Sequence, residues 1–274
     1  MNTEDMSDMF EIMCRNHYQV WVCEICDSNH IPMGFGSGFM VLHHGHLYYV
    51  TADHVVNAEC EHFKLDPHKD YIASIPTNVI DRKNLLSQQV VCPINREDKI
   101  EVLRINENTV SEEGRVDLYY INMDNHLHTK FLTQGLIFSE SDVRYAGAQK
   151  VFLSEDNIDR RLDISHTFSV FGMVGSRIVK GIYIDNIPIF HNGMTFKEEK
   201  YDQYCFEVSR NDEHLKMEHW AGLSGAAVFD ECTGKVIGMA LQYSEDYNLC
   251  WVMPIQQIFA IIEADILTRS MPNC

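Results

Sequence analysis

The chain has 274 residues and carries 40 acidic against 22 basic side chains, a formal charge of −18. This length allows one domain or two small lobes with a sizeable core. The negative charge opposes binding to phosphate backbones and anionic lipid, so we expect neither nucleic acid nor a membrane as a partner. No apolar run approaches the ~18 residues of a transmembrane helix.

The cysteines indicate the compartment. There are nine, an odd number at scattered positions, and residues 1–16 lack the basic and apolar segments of a secretory signal. We therefore expect reduced, mostly buried thiols and a cytoplasmic protein. Cys23 and Cys26 have the spacing of a metal or redox pair. They fall in a strand-like run with no second pair, which favours core residues.

The pattern along the chain is that of short strands framed by two helices. Apolar side chains at helical spacing predict an amphipathic helix over 3–14, which would pack on the body or on a partner. Pro254 begins a second helix over 254–270. Many short strands separated by turn residues predict an all-β sandwich or barrel, and 123–147 is the best candidate for a crossing between lobes. The candidate strands are 18–26, 37–42, 46–51, 72–75, 88–92, 99–105, 116–122, 148–153, 167–172, 178–186, 203–208, 226–229, 235–242 and 249–253.

Three histidines surround a glycine between two strand-like runs. His43, His44 and His46 could together hold a metal ion, but a solvated hairpin turn around Gly45 is the interpretation that we favour. No nucleotide-binding or zinc-peptidase motif is present. We accordingly expect neither a metal nor a cofactor.

Three other segments carry residues suited to nucleophilic catalysis. His54 ends a strand-like run, Asp117 begins another, and Ser224 lies in a glycine-rich turn before a third. A serine hydroxyl attacks a carbonyl when a histidine takes its proton and a carboxylate orients that histidine. The backbone N–H groups of Gly222 and Ser224 would then form the oxyanion hole. Asp124 is an alternative acid, in a turn-like stretch.

The order His, Asp, Ser and the β-rich pattern resemble the chymotrypsin-like (trypsin-fold) serine peptidases. Thr51–His54, Asp117–Leu118 and Gly222–Gly225 look like that family's histidine, aspartate and serine motifs. Residues 36–41 and 250–255 are similar to strands of its bacterial HtrA-type branch. An α/β-hydrolase would have the order Ser, acid, His.

The resemblance implies two six-stranded antiparallel β-barrels with the active site between them. It places an N-terminal helix at 1–16, a first barrel with the His and Asp at 17–135, a second barrel with the Ser and the specificity pocket at 136–253, and a helix and tail at 254–274. HtrA-type enzymes usually add a peptide-binding PDZ domain. Because the sequence ends at Cys274, we expect the protease domain alone.

Leu223 precedes the serine at a position where secreted trypsin-like enzymes have an aspartate that pairs with a new N-terminus. Leucine cannot form that ion pair, so we expect no activation by exposure of a new N-terminus. Control would come instead from a partner, a ligand, a mobile loop or narrow specificity.

The substrate pocket is placed by its offset from the serine. Glu218 falls at the family's pocket floor and would favour a basic P1 side chain, whereas a one-residue shift would put His219 there. The alternative for Glu218 is a solvated acidic loop. Leu241, Gln242 and Tyr243 would form the edge strand that pairs with the substrate backbone.

The sequence therefore predicts a trypsin-like serine endopeptidase, a hydrolase of protein or peptide substrates that acts in regulated intracellular proteolysis. Two alternatives stay open. One is a peptide-binding pseudoprotease or a subunit of a larger complex, with the helix over 3–14 docking a regulatory protein. The other is a small-ester hydrolase that uses the same triad.

Overall fold

The computed structural model describes residues 3–26, 29–57, 71–80, 87–94, 101–106, 109–126, 131, 149–179, 183–209 and 215–270. The fold is mostly β with a helix at each end, which confirms the predicted class. The main elements are α1 (Thr3–Asn16), β1 (Tyr18–Cys26), β2 (Asn29–His43), β3 (His46–Thr51), α2 (Asp53–Val56), β4 (Tyr71–Ile80), β5 (Ser87–Ile94), β6 (Glu101–Asn106), β7 (Thr109–Arg115), β8 (Tyr119–Asn122), β9 (Thr167–Val179), β10 (Tyr183–Lys200), β11 (Gln203–Glu207), β12 (Ala227–Asp230), β13 (Val236–Ser244), β14 (Leu249–Pro254) and α3 (Ile255–Ser270).

The first lobe is built on a six-stranded sheet in the order β5-β4-β1-β2-β3-β8, which forms half of a barrel; β6 and β7 pair as a separate ladder. Phe39, Met40 and Val41 are all fully buried. Because successive side chains of a strand point to opposite faces, both faces of β2 are covered at this point.

The second lobe is a closed six-stranded barrel in the order β10-β11-β14-β13-β12-β9. Its core is apolar and includes Phe168, Val170, Phe206, Val228 and Ile237, each no more than 1% exposed. Closure leaves no continuous open edge on this sheet.

The terminal helices both pack on this body. In α1, Met9 and Met13 are buried, and the ring of Phe10 meets Phe171 and Phe190 edge to face at centroid distances of 5.8 and 5.2 Å. In α3, Phe259 lies on the buried apolar face and is 1% exposed. Within the part of the chain that the structure describes, none of the helices is long and apolar enough to span a membrane.

The chain departs from the predicted elements in several places. The predicted strand over 178–186 is divided between the end of β9 and the start of β10, where Tyr183 lies opposite Val179. Val151 and Leu153 were expected in a strand, yet Leu153 makes only an isolated bridge, to Val41. Strand β7 was not predicted, because its sequence TVSEEGR has no run of alternating apolar residues. The predicted barrel boundary and most of the predicted crossing lie outside the described residues.

The thiols agree with the expected pattern where they are described. Cys14, Cys23, Cys205 and Cys250 are reduced and buried, and Cys232 is reduced and exposed. Burial raises the pKa of Cys14 to about 12, mainly because the thiolate would be poorly solvated there. Cys14 is therefore protonated at neutral pH, and all four of these thiols lie in the core.

Candidate active site

Strand pairing brings the predicted histidine and aspartate together. β3 runs antiparallel to β8, with Thr51 opposite Tyr119. His54 follows the end of β3 in the single turn of α2, and Asp117 precedes the start of β8. The two residues are thus 63 positions apart in sequence but adjacent at one edge of the sheet.

The Asp117 carboxylate holds His54 by three hydrogen bonds. Nδ1 of the imidazole lies 2.8 Å from Oδ2 and 3.0 Å from Oδ1, and the His54 backbone N–H donates to Oδ1 at 3.0 Å. The side chains are 29% and 32% exposed. With Nδ1 carrying a proton toward the carboxylate, Nε2 becomes the basic nitrogen of the neutral ring.

A tight turn presents Asp117 to the histidine. The Leu118 N–H donates to the Val116 carbonyl at 2.8 Å, an i→i+2 bond across Asp117. Val116 and Leu118 are 4% and 0% exposed, so the residues on both sides anchor the turn in the core.

The charge of Asp117 is stabilised at this position. Partial burial alone would raise the pKa of the carboxyl, but the hydrogen bonds from the His54 ring and from the backbone of Asp53 and His54 outweigh it and lower the pKa below its usual value. Asp117 is therefore ionised at neutral pH, as an orienting carboxylate must be. The alternative acid, Asp124, instead contacts His46 at 2.7 Å and the Leu47 N–H at 2.8 Å.

The turn that carries Ser224 lies against the first lobe. The Ser224 carbonyl accepts a hydrogen bond from the Ser37 N–H at 2.9 Å, and the Gly225 N–H donates to the Ala240 carbonyl at 2.7 Å. The Ser224 side chain is half-buried, and its hydroxyl donates to the Leu241 carbonyl at 2.8 Å.

Gly225 explains why the two lobes can approach so closely. Its φ is +90°, and a Cβ there would lie 2.0 Å from the Ser37 carbonyl oxygen and 2.4 Å from Oγ1 of Thr51. Only glycine fits this contact without backbone movement. Since Thr51 is three residues before His54, the serine turn packs beside the strand that delivers the histidine.

A second histidine reaches the same turn from the end of α1. The Ser37 hydroxyl donates to the Gly222 carbonyl at 2.5 Å, and Nε2 of His17 lies 2.9 Å from that hydroxyl. Burial, with a smaller contribution from Lys150, lowers the pKa of His17 to about 3. The ring is therefore neutral and donates through Nε2, because the hydroxyl proton is already committed to Gly222.

Sequence reasoning missed this chain of contacts. Ser37 stood out only as part of a glycine-rich strand, and His17 carried no motif at all. The backbone N–H groups of Gly222 and Ser224, predicted for the oxyanion hole, make no hydrogen bond within the described residues.

The two residues predicted for the pocket floor lie side by side. Glu218 and His219 are both in a short 3-10 turn over Met217–His219. The Glu218 side chain is 70% exposed, and its Oε1 is 3.7 Å from Nε2 of His219. Next to them Trp220 is buried, stacked between His191 at 3.8 Å and Tyr243 at 4.1 Å. This three-ring stack was not expected from the sequence.

The predicted edge residues all lie on β13. Gln242 pairs with Trp251 and Tyr243 with Cys250 on β14, whereas the register with β12 covers only Val236 to Met239. Gln242 is exposed, and Leu241 and Tyr243 are buried. Within the described residues, the far part of β13 therefore pairs through one edge only.

The sequence matches no known family, and the fold is similar to that of a solved structure. No protein-family description matches the sequence, and no curated protein matches it either. Among solved structures, the chain is similar to a serine endoprotease from Yersinia pestis with 12% sequence identity and a TM-score of 0.45, over 94% of this chain and 65% of that one. The chain thus spans about two thirds of that structure's length.

Proposed function

We propose that the protein is a serine endopeptidase that uses Ser224, His54 and Asp117. The observation that carries this proposal is the His54–Asp117 pair, with Nδ1 bound to both carboxylate oxygens at 2.8 and 3.0 Å. The turn of Ser224 packs against Thr51 and Ser37, beside that pair. A histidine oriented by a carboxylate is the base that activation of a serine hydroxyl requires, which supports the proposal.

The reaction would begin with movement of the Ser224 hydroxyl away from the Leu241 carbonyl. Nε2 of His54 takes its proton while Oγ attacks the scissile carbonyl. Asp117 keeps the ring oriented and stabilises the imidazolium that forms. The N–H groups of Gly222 and Ser224 donate to the oxyanion.

Three further proton transfers complete the cycle. The C–N bond breaks as His54 gives its proton to the leaving amine, which leaves an ester on Ser224. Water then loses a proton to His54 and attacks that ester. The carboxylic acid product leaves, and the proton returns to Ser224.

The substrate would bind as an extended segment along β13. Its backbone would pair with the strand between Leu241 and Tyr243, which gives affinity without dependence on side chains. A basic side chain at P1 would meet the exposed carboxylate of Glu218. Cytoplasmic action and a regulatory partner that contacts α1 belong to the same proposal.

Labelling with a fluorophosphonate probe tests the nucleophile. We expect the wild-type chain to be labelled and Ser224→Ala to remain unlabelled. Ser244→Ala, a change in a half-buried serine of β13, is the matched control and should label as the wild type does. Labelling that persists in Ser224→Ala would contradict the proposal.

A second experiment distinguishes protein substrates from small-ester substrates. Mapping of new N-termini in a protein mixture treated with wild type or with Ser224→Ala should yield cuts made only by the wild type. Turnover of small esters without any such cuts would favour a small-ester hydrolase.

Two observations favour a second function, a pseudoprotease that binds peptides without cutting them. The Ser224 hydroxyl donates to Leu241, and the ring of Trp220 is fixed between two others. A protein kept in this arrangement would bind peptide at β13 but would not react with the probe. Absence of labelling together with peptide binding would support this alternative.

A further inference from the structure

The hairpin between β2 and β3 differs from the solvated turn that its sequence predicts. His43 pairs with His46, and His44 and Gly45 form the turn with φ of 49° and 82°. The His44 side chain is 71% exposed, as expected, whereas that of His43 is 1% exposed. The expectation is therefore wrong for His43, whose imidazole lies in the interior.

Helix α3 brings a carboxylate to this turn. Oε1 of Glu263 lies 2.8 Å from Nε2 of His43 and 3.4 Å from Nε2 of His44. The three ligand atoms lie within 4.8 Å of one another. The set joins the tip of the first sheet to the C-terminal helix and shares no residue with the candidate active site.

The other nitrogen of His43 faces a second carboxylate. Its Nδ1 is 2.5 Å from Oε1 of Glu155, and Arg160 in turn contacts Glu155 at 3.0 Å. The His43 ring also stacks flat on Phe259 at 4.1 Å. A histidine held by a carboxylate behind it and by packing on its face is typical of a metal ligand.

This arrangement calls for a cation. A neutral imidazole carries one N–H, so only one of the two carboxylates next to His43 can accept a hydrogen bond from it. With a neutral ring, the other carboxylate would face a lone pair at hydrogen-bond distance. That contact needs a cation, which is either a second proton on the ring or a metal ion at Nε2.

We propose that His43, His44 and Glu263 bind a zinc ion, with Glu155 as the residue that orients His43. Two imidazoles and one carboxylate form a known zinc ligand set, in which water takes the fourth position. Zinc–ligand distances of about 2.0–2.1 Å place tetrahedral ligands about 3.3 Å apart. The His44–Glu263 distance of 3.4 Å already fits, and the His43–Glu263 distance of 2.8 Å would open slightly. The ion would fasten the hairpin to α3.

A second cluster serves as a comparison. His166, Asp230 and Cys232 also bring their ligand atoms together. The Asp230 carboxylate, however, already accepts hydrogen bonds from the N–H groups of Cys232 and Thr233 at 2.8 and 3.1 Å, and it contacts His166 at 2.7 Å. Its oxygens hold a turn, so we assign the zinc to the first cluster.

The test is calorimetric titration of the full chain, freed of metal with a chelator and kept reduced, with zinc sulfate alone. We expect one tight equivalent and a rise in melting temperature, because this ligand set is assembled only in the folded state. His44→Asn, which suits the positive φ, and Glu263→Gln should each weaken binding at least about tenfold. Glu155→Gln should weaken it about 10- to 100-fold. His46→Asn, on the same hairpin, should bind as the wild type does.

Cobalt reports which ligands are used. At the proposed site, Co²⁺ should give visible d–d bands without a thiolate charge-transfer band, since all ligands are nitrogen and oxygen. A thiolate band would place the metal on cysteine and overturn the assignment. Equal zinc affinity in the wild type, His44→Asn and Glu263→Gln, or no tight equivalent, would also overturn it and would leave a protonated His43 between two carboxylates.

Discussion

Two of the histidine–carboxylate groups that the structure describes are built on different principles. In the first, both oxygens of one carboxylate, Asp117, face Nδ1 of His54. In the second, each nitrogen of His43 faces a different carboxylate, Glu155 and Glu263. The same side chains thus suit different chemistry. A ring held at one nitrogen can pass a proton through the other, whereas a ring held at both can only be a fixed ligand or a fixed cation.

The largest expected effect comes from Asp117→Asn. The amide would favour the wrong tautomer of His54, so we expect kcat to fall by about 10⁴-fold. A chromogenic ester or a mapped peptide substrate measures this rate. We expect no such loss of kcat in Glu263→Gln, because Glu263 contacts His43 and not His54.

Asp124→Asn is the matched control for that experiment. Asp124 also contacts a histidine, His46, at 2.7 Å, but away from His54. The kcat of the Asp124→Asn variant should equal that of the wild type. A loss in Asp124→Asn as large as that in Asp117→Asn would show that the His54–Asp117 geometry does not determine the rate.

A smaller effect is expected for Ser37→Ala. The change removes the hydrogen bond to the Gly222 carbonyl and leaves Nε2 of His17 without its acceptor. A turn held less firmly should present the oxyanion donors less well, and we expect kcat to fall by about tenfold with little change in KM. The unsatisfied buried group should also cost about 1–3 kcal/mol in the free energy of unfolding.

Ser169→Ala separates the positioning role from general loss of stability. Ser169 is also fully buried, but its hydroxyl contacts only the sulfur of Met13 among the contacts that the structure gives. The Ser169→Ala change should lower the free energy of unfolding slightly and leave kcat unchanged. Equal losses of kcat in both serine variants would argue that Ser37 acts through stability alone.

The pH dependence of stability sharpens the comparison further. The pKa of Asp117 is lowered in the folded state, so its ionised form stabilises the fold above its unfolded pKa of about 3.9. That contribution is lost as the pH falls through the folded pKa. Urea unfolding from pH 7 downward should show wild type and Asp117→Asn converging in acid. A difference that stays constant over this range would contradict the lowered pKa.

These contrasts also show what the sequence could reveal. Motif spacing and chain order pointed to His54, Asp117 and Ser224, because each follows or precedes a recognisable strand. Ser37, His17 and Trp220 had no such signal, since their roles depend on contacts between residues up to 185 positions apart. The hairpin was predicted correctly, but the burial of His43 depends on α3, whose docking position no local pattern encodes.

The smallest effect is expected at Glu218, whose side chain is the most exposed carboxylate among the histidine contacts that we compare. Its carboxylate is 70% exposed and lies 3.7 Å from Nε2 of His219, so solvent and salt screen its charge. If a basic P1 side chain reaches it, Glu218→Gln should reduce the preference for Lys and Arg over neutral residues by less than about tenfold, and added salt should reduce the wild-type preference in the same direction. Cleavage of a peptide library by both forms measures this. A wild type without that preference would place specificity elsewhere, and the stacked ring of Trp220 between His191 and Tyr243 is then the feature to change next.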